Sequence, residues 1–141
     1  MSPPSRIDHL GIAVASIEEA GKFYRDVLGL SPGENEEVPD QKVRVAFFQI
    51  GEVRIELIEP TTADSPVARF LEKRGPGLHH IAYRVADLSA TLAALKSAGI
   101  RLIDESPRHG AHGMKIAFAH PKNTGGVLTE FCQQGRANST A

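Results

Sequence analysis

Four residues of the kinds that ligate divalent cations recur in this chain at matching intervals. His9 stands in "RIDHLGIAV", and Glu56 follows 47 residues later in "EVRIELIEP". His80 stands in "GLHHIAYRV", 71 residues after His9, and Glu130 follows it by 50 residues in "GVLTEFC". Neutral imidazole and carboxylate together suit Fe, Co, Ni, Mn or Zn. An all-carboxylate set would favour Ca or Mg, and a single cysteine provides no thiolate set for a structural Zn site. Four protein ligands around an octahedral ion leave two positions for substrate or water, which is a catalytic arrangement.

Taken singly, a strand histidine is ordinarily a satisfied core residue, and a lone glutamate ordinarily lies on a solvated face. The neighbours argue otherwise. Side chains alternate along a strand, so His9 shares its face with Gly11 and Ala13, and His80 shares its face with Ala82. Leu10, Ile12 and Val14, or Ile81, Tyr83 and Val85, lie on the opposite faces. The bulky face suits packing against a helix, and the small-residue face suits a crowded interior. Glu59 is the alternative inward carboxylate, but it stands beside Pro60, where the strand should end. The other histidines are weaker candidates. His79 is expected opposite His80, packing or bonding to backbone. His109 and His112 belong to the Gly-rich loop "PRHGAHGMK", and His120 is expected to start the turn "HPKNTGG".

The elements that must position these residues come as two copies of one plan. In the first copy, residues 6–14 read as a strand, and Ser16 with Glu19 forms a capping-box pattern. Ala20, Phe23, Tyr24, Val27 and Leu28 then make one apolar helix face, and Gly29 is a suitable stop. "KVRVAFFQIG" and "EVRIELIEP" read as strands joined at Gly51–Glu52. In the second copy a strand over 78–85 leads to Asp87 as N-cap, a helix with Leu88, Leu92 and Leu95, and Gly99 as stop. "IRLIDE", "MKIAFAH" and "GVLTEFC" then read as three strands. Between the copies, Ser65, Pro66, Val67, Phe70, Leu71 and Gly75 make a short capped helix. The expected fold is α+β: two paired βαβββ modules forming a curled mixed sheet around a central metal cavity. One domain over 1–141 is expected, with module 1 at about 6–60, a linking helix at about 65–75 and module 2 at about 77–134. A disordered polar tail is expected over 135–141.

Composition narrows the function classes. At 141 residues with a net charge of −1, the chain gives no electrostatic reason to expect nucleic acid or an anionic membrane as partner. No apolar run approaches the roughly 20 residues that span a bilayer, and "MSPPSRIDH" lacks a signal-peptide core. The single Cys132 reads as strand filler and fits a reducing cytoplasm.

"IDHLGIAV" followed by "FYRDVLGL" resembles the vicinal oxygen chelate superfamily, whose members pair βαβββ modules around a divalent metal. "SPVARFLEKRGPGLHHIAYRV" and "HPKNTGGVLTEF" narrow the resemblance to its methylmalonyl-CoA epimerases, and it covers roughly residues 6–134. It implies His9, Glu56, His80 and Glu130 as metal ligands, with Glu56 where related members carry Gln. It also implies one divalent ion per chain, Co2+ first and Mn2+, Ni2+, Zn2+ or Mg2+ as alternatives. The expected activity is epimerisation of methylmalonyl-CoA by abstraction of the α-proton through a metal-stabilised enolate, in propionyl-CoA metabolism. Glu130 is the candidate proton carrier, while Gln41, His112, Lys115 and Lys122 are candidate substrate contacts. Family accounts place a further carboxylate on the third strand, where "QKVRVAFF" offers Gln41, Lys42 and Arg44 but no acid. A homodimer is expected. The alternatives are a glyoxalase I-type lyase, an extradiol dioxygenase, and a metal-free binding module of the resistance-protein kind. The full ligand set argues against the last two.

Overall fold

The computed structural model describes residues 1–135, which form eight strands and three α-helices of a mixed α+β fold. Two compact units emerge, one spanning His9–His80 and the other formed by Met1–Asp8 with the chain from Ile81 onward. The expected tail beyond residue 135 lies outside the described residues.

The His9–His80 unit is built on a four-stranded sheet in the order β2-β3-β4-β1. Its strands are β1 (Arg6–Ala13), β2 (Glu36–Val38), β3 (Val43–Ile50) and β4 (Val53–Pro60). β1 pairs parallel with β4, while β3 pairs antiparallel with both β2 and β4. Helix α1 (Ile17–Lys22) starts where the sequence places it, because Ser16 Oγ accepts the Glu19 N–H at 3.1 Å. It runs on into a wider π-type turn over Phe23–Val27. Val14, Ile17, Ala46, Phe48 and Leu57 form the core beneath it, with Ile12 and Tyr24 packed alongside. Leu57 is fully buried, a contribution of roughly 1.5–3 kcal/mol from transfer out of water. The bulky face of β1 therefore packs on the helix, as its alternation requires. Helix α2 (Pro66–Arg74) follows, capped by the buried Ser65 Oγ accepting the Val67 N–H.

The second unit contains β5 (Gly77–Arg84) from Ile81 onward, α3 (Leu88–Ser97), β6 (Arg108–His109), β7 (Lys115–Ala119) and β8 (Thr129–Gln133), with strand order β5-β8-β7-β6. Asp87 caps α3 by accepting the Ala90 N–H at 3.0 Å. Leu88 and Leu92 pack on Ala117, Ala119 and Phe131, with Leu95 at their margin. The other face carries Ala82, Met114, Ile116, Phe118 and Cys132. A buried ion pair ties Asp8 to β5: Arg84 Nε and Nη2 donate to Asp8 Oδ1 at 3.0 and 2.6 Å.

The segment "IRLIDE" departs from its expected strand. It makes a single bridge, Leu102 to Ala119, and otherwise touches β7 through individual bonds. The amides of Ile103 and Asp104 both donate to the Phe118 carbonyl, while Asp104 Oδ2 accepts the Phe118 N–H at 2.9 Å. A side-chain acceptor thus replaces the backbone carbonyl that a ladder would use, and Pro107 then removes a donor. The extra strand pairing falls instead to the two residues of β6.

Candidate metal centre

β1 and β4 run in parallel with His9 opposite Arg54, Gly11 opposite Glu56 and Ala13 opposite Ile58. These residues share one face of the sheet, and β3 extends it with Val43, Val45 and Phe47, Phe47 lying opposite Glu56. His80 comes to the same face from the start of β5, within the same compact unit. His9, Glu56 and His80 are 5%, 6% and 3% exposed. Burial of three polar side chains at this level demands partners.

They meet one another. One nitrogen or oxygen from each residue lies within 4.8 Å of the others. His9 Nε2 stands 3.2 Å from His80 Nε2 and 3.4 Å from Glu56 Oε2, with the two imidazole planes at 88°. Two ligands that each bind one ion at about 2.0–2.2 Å, with 90–110° between them, are roughly 2.8–3.6 Å apart. The spacing therefore fits a first-row divalent ion, as does the chemistry of two imidazoles and a carboxylate.

Gly11 makes room for this arrangement. A Cβ at that position would fall 2.1 Å from His80 Cε1, 2.4 Å from Nδ1 and 2.6 Å from Nε2. The missing side chain is the slot into which the imidazole fits. On the other side of the same ring, His80 Nδ1 lies 2.9 Å from His79 Nδ1. The sequence places His79 opposite His80, packing or bonding to backbone, and the structure adds a bond to the His80 ring. The His79 ring does pack, edge-on to Phe70 of α2 at 5.0 Å between centroids, but its Nδ1 reaches back to His80.

The remaining candidates sort by their neighbours. Glu59, the rival carboxylate, is a helix cap: Oε1 accepts the Ile17 N–H at 2.8 Å and Oε2 accepts from Arg44 at 3.1 Å. Lys42 is paired with Asp64, whose carboxyl is pulled down to about 2 by that ammonium and the Thr62 hydroxyl. Gln41 is half-buried at the end of the 3-10 turn Pro39–Gln41. Within the second unit, Glu130 is a buried carboxylate on β8, in register with Ala82 of β5 and Phe118 of β7. His112 is exposed in a short turn at φ 58°, and Lys115 and Lys122 are exposed. His120 starts its turn as expected, its Nδ1 accepting the Lys122 N–H. On the ligand face of β3, Val43, Val45 and Phe47 are buried and apolar and Gln49 is exposed, so the absence of an acid there, read from the sequence, holds in register as well.

Residues 8–118 match the family model of the glyoxalase/bleomycin resistance protein/dioxygenase superfamily. The chain belongs to this superfamily. Among its superfamily relatives, an uncharacterized protein of Bacillus subtilis (strain 168) is 57% identical over 92% of each chain. The ethylmalonyl-CoA/methylmalonyl-CoA epimerase of Cereibacter sphaeroides is 42% identical, over 91% of this chain and 97% of that one. A methylmalonyl-CoA epimerase of Streptomyces coelicolor, solved in complex with 2-nitronate-propionyl-CoA, superposes with a TM-score of 0.92. It is 38% identical, over 96% of this chain and 98% of that one. Full-length likeness of this order to superfamily epimerases supports an isomerase.

Three contributors to the site escaped the sequence reading. His79 was signalled only by the doublet His79-His80. Gly11 was read as a small neighbour rather than as the slot for a ring. Arg54 has a sequence signal, its i−2 position to Glu56, which puts a cation on the ligand face; its guanidinium lies over the Phe47 ring at 5.4 Å.

Proposed function

We propose that the chain interconverts the (2R) and (2S) forms of methylmalonyl-CoA, using one divalent ion held by His9, Glu56, His80 and Glu130. The observation that carries the reading is the buried convergence of His9, Glu56 and His80 at ligand spacing. Glu130 is assigned as the fourth ligand on the repeat in the sequence and on its burial as a carboxylate among apolar neighbours. The likeness to epimerases supplies the substrate class.

When bound, such an ion supplies Lewis acidity that favours negative charge on substrate oxygens. The chain's part is to place those oxygens and to move a proton. His9 and His80 offer uncharged nitrogen ligands, while Glu56 brings a negative charge that holds the ion against an anionic substrate. C2 of the substrate lies between a thioester and a carboxylate. A base takes the proton from C2, the C–H electron pair delocalises onto the thioester oxygen, and a proton returns to the opposite face. Glu130 is assigned to this transfer on one face, and His112 is the candidate on the other. Val43, Val45 and Phe47 supply an apolar wall beside the ligands, and Arg54 puts a positive charge on their face, which suits a dicarboxylate-derived anion. Gln41, Lys115 and Lys122 remain assigned to the substrate, the lysines to its phosphates. Co2+ is the assigned ion, the protein is assigned as a homodimer, and the cytoplasm is its assigned compartment. No helix among the described residues is long and apolar enough to cross a membrane.

The test is turnover by the Co2+-loaded protein. Equilibration of (2S)-methylmalonyl-CoA with its (2R) form is expected. A higher kcat/KM on a glutathione hemithioacetal would replace this reading by a glyoxalase.

A further inference from the structure

We infer, on the reading of His80 as a metal ligand, that His79 is the positioning residue that fixes which nitrogen of His80 faces the ion. Two imidazole nitrogens 2.9 Å apart share one proton: one ring carries N–H at Nδ1 and the other presents a lone pair. If His80 Nδ1 is the donor, its Nε2 keeps a lone pair toward His9 and Glu56, as a ligand must. If His79 Nδ1 is the donor, His80 Nε2 carries the proton and is blocked as a ligand. Only the first arrangement is compatible with coordination, so the structure assigns His80 as the Nδ1–H tautomer and His79 Nδ1 as its acceptor.

The surroundings hold that bond in place. The His80 ring lies so close over Gly11 that a Cβ there would fall 2.1 Å from its Cε1. The His79 ring is itself held edge-on by Phe70, at 75° between planes, and stands at 86° to His80. Helix α2, which links the two sequence repeats, thus braces the ligand through His79. An outer partner of this kind fixes ring orientation and tautomer and raises ligand basicity, and its loss ordinarily costs about 10–100-fold in metal affinity.

The test separates this role from the metal reading. In the metal-free protein, 15N–1H correlation spectra report the tautomer of each ring. His80 is expected to be protonated at Nδ1. In His79→Phe, which keeps a ring against Phe70 but removes the acceptor, His80 should shift toward the Nε2–H form. Co2+ affinity should fall about 10–100-fold at an unchanged melting temperature. His79→Asn, whose side-chain oxygen can accept, should restore part of the affinity and the Nδ1–H signal. His80 protonated at Nε2 in the unaltered protein, or His79→Phe with full Co2+ affinity, would overturn the assignment. Failure of the unaltered protein to bind Co2+ would refute the metal reading, and the tautomer spectra would still decide the His79–His80 bond. If His79→Phe does not fold, the His79→Asn spectra and affinity decide it.

Discussion

Gly11→Ala is the smallest change that should disarm the centre. The substituted Cβ would fall 2.1 Å from His80 Cε1 and within 2.6 Å of both ring nitrogens. Nonbonded carbons rest at about 3.5–4.0 Å, so the ring must withdraw by about 1.4 Å or more. Metal–ligand distances tolerate only about ±0.2 Å, and a displacement several times larger removes His80 as a ligand. The backbone does not resist, since Gly11 lies in the extended strand β1 and needs no left-handed conformation. Alanine is in fact preferred to glycine there by roughly 0.5–1 kcal/mol, which offsets part of the roughly 1–3 kcal/mol of overpacking. The variant should therefore fold and melt within a few degrees of the parent. Its Co2+ affinity should fall by at least about 100-fold, the upper end of what loss of a mere outer partner costs. Competition with a chromogenic chelator measures the affinity, and circular dichroism follows the melt. Full Co2+ affinity in folded Gly11→Ala would refute the placement of His80 on the ion.

Other parts of the molecule yield separate expectations. Arg84→Ala leaves the buried Asp8 carboxylate without its guanidinium, and urea denaturation should show a loss of about 3 kcal/mol. The Cys132 thiol is pushed up mainly by burial, and further by Asp8 and Glu130, so iodoacetamide should leave it unmodified until the chain unfolds. The sign of its pH effect follows. Above the unfolded thiol's pKa of about 8.5, the unfolded chain gives up a proton that the folded chain keeps. Stability should therefore decline as pH rises from there, and Cys132→Ala should flatten that decline. Propionyl-CoA keeps the thioester but lacks the second carboxyl, and its α-proton should exchange at least about a thousandfold more slowly than that of methylmalonyl-CoA. Equal exchange rates would show that the carboxylate is not held during proton transfer.

Much of this was legible because local chemistry and distant pairing agree. Ser16, Ser65 and Asp87 announce helix starts through side chains that accept specific amides, and alternation along β1 assigns the small-residue face to His9. Pro60, where the strand ends, argues for Glu56 over Glu59, whose capping of α1 depends on β4 lying beside that helix. Three things were not legible. Alternation sends His79 and His80 to opposite faces, so their bond follows from ring rotation, which no pattern encodes. The slot over Gly11 depends on a residue 69 positions away in sequence. The failure of "IRLIDE" as a strand follows from Asp104 reaching β7 with its side chain, a competition between side chain and backbone that β-propensity does not weigh.

Hydrogen exchange at C2 tests the central claim most directly. Methylmalonyl-CoA is incubated with the protein in D2O, in the metal-free form, after Co2+ addition, and after a chelator, while NMR follows deuterium entering the α-position. Rapid deuteration with Co2+, its loss with chelator and its return on adding metal are expected, and His80→Ala should show none of it. Equal deuteration in the metal-free and Co2+-loaded protein, or none in either, would contradict a metal-dependent epimerase centred on His9, Glu56 and His80.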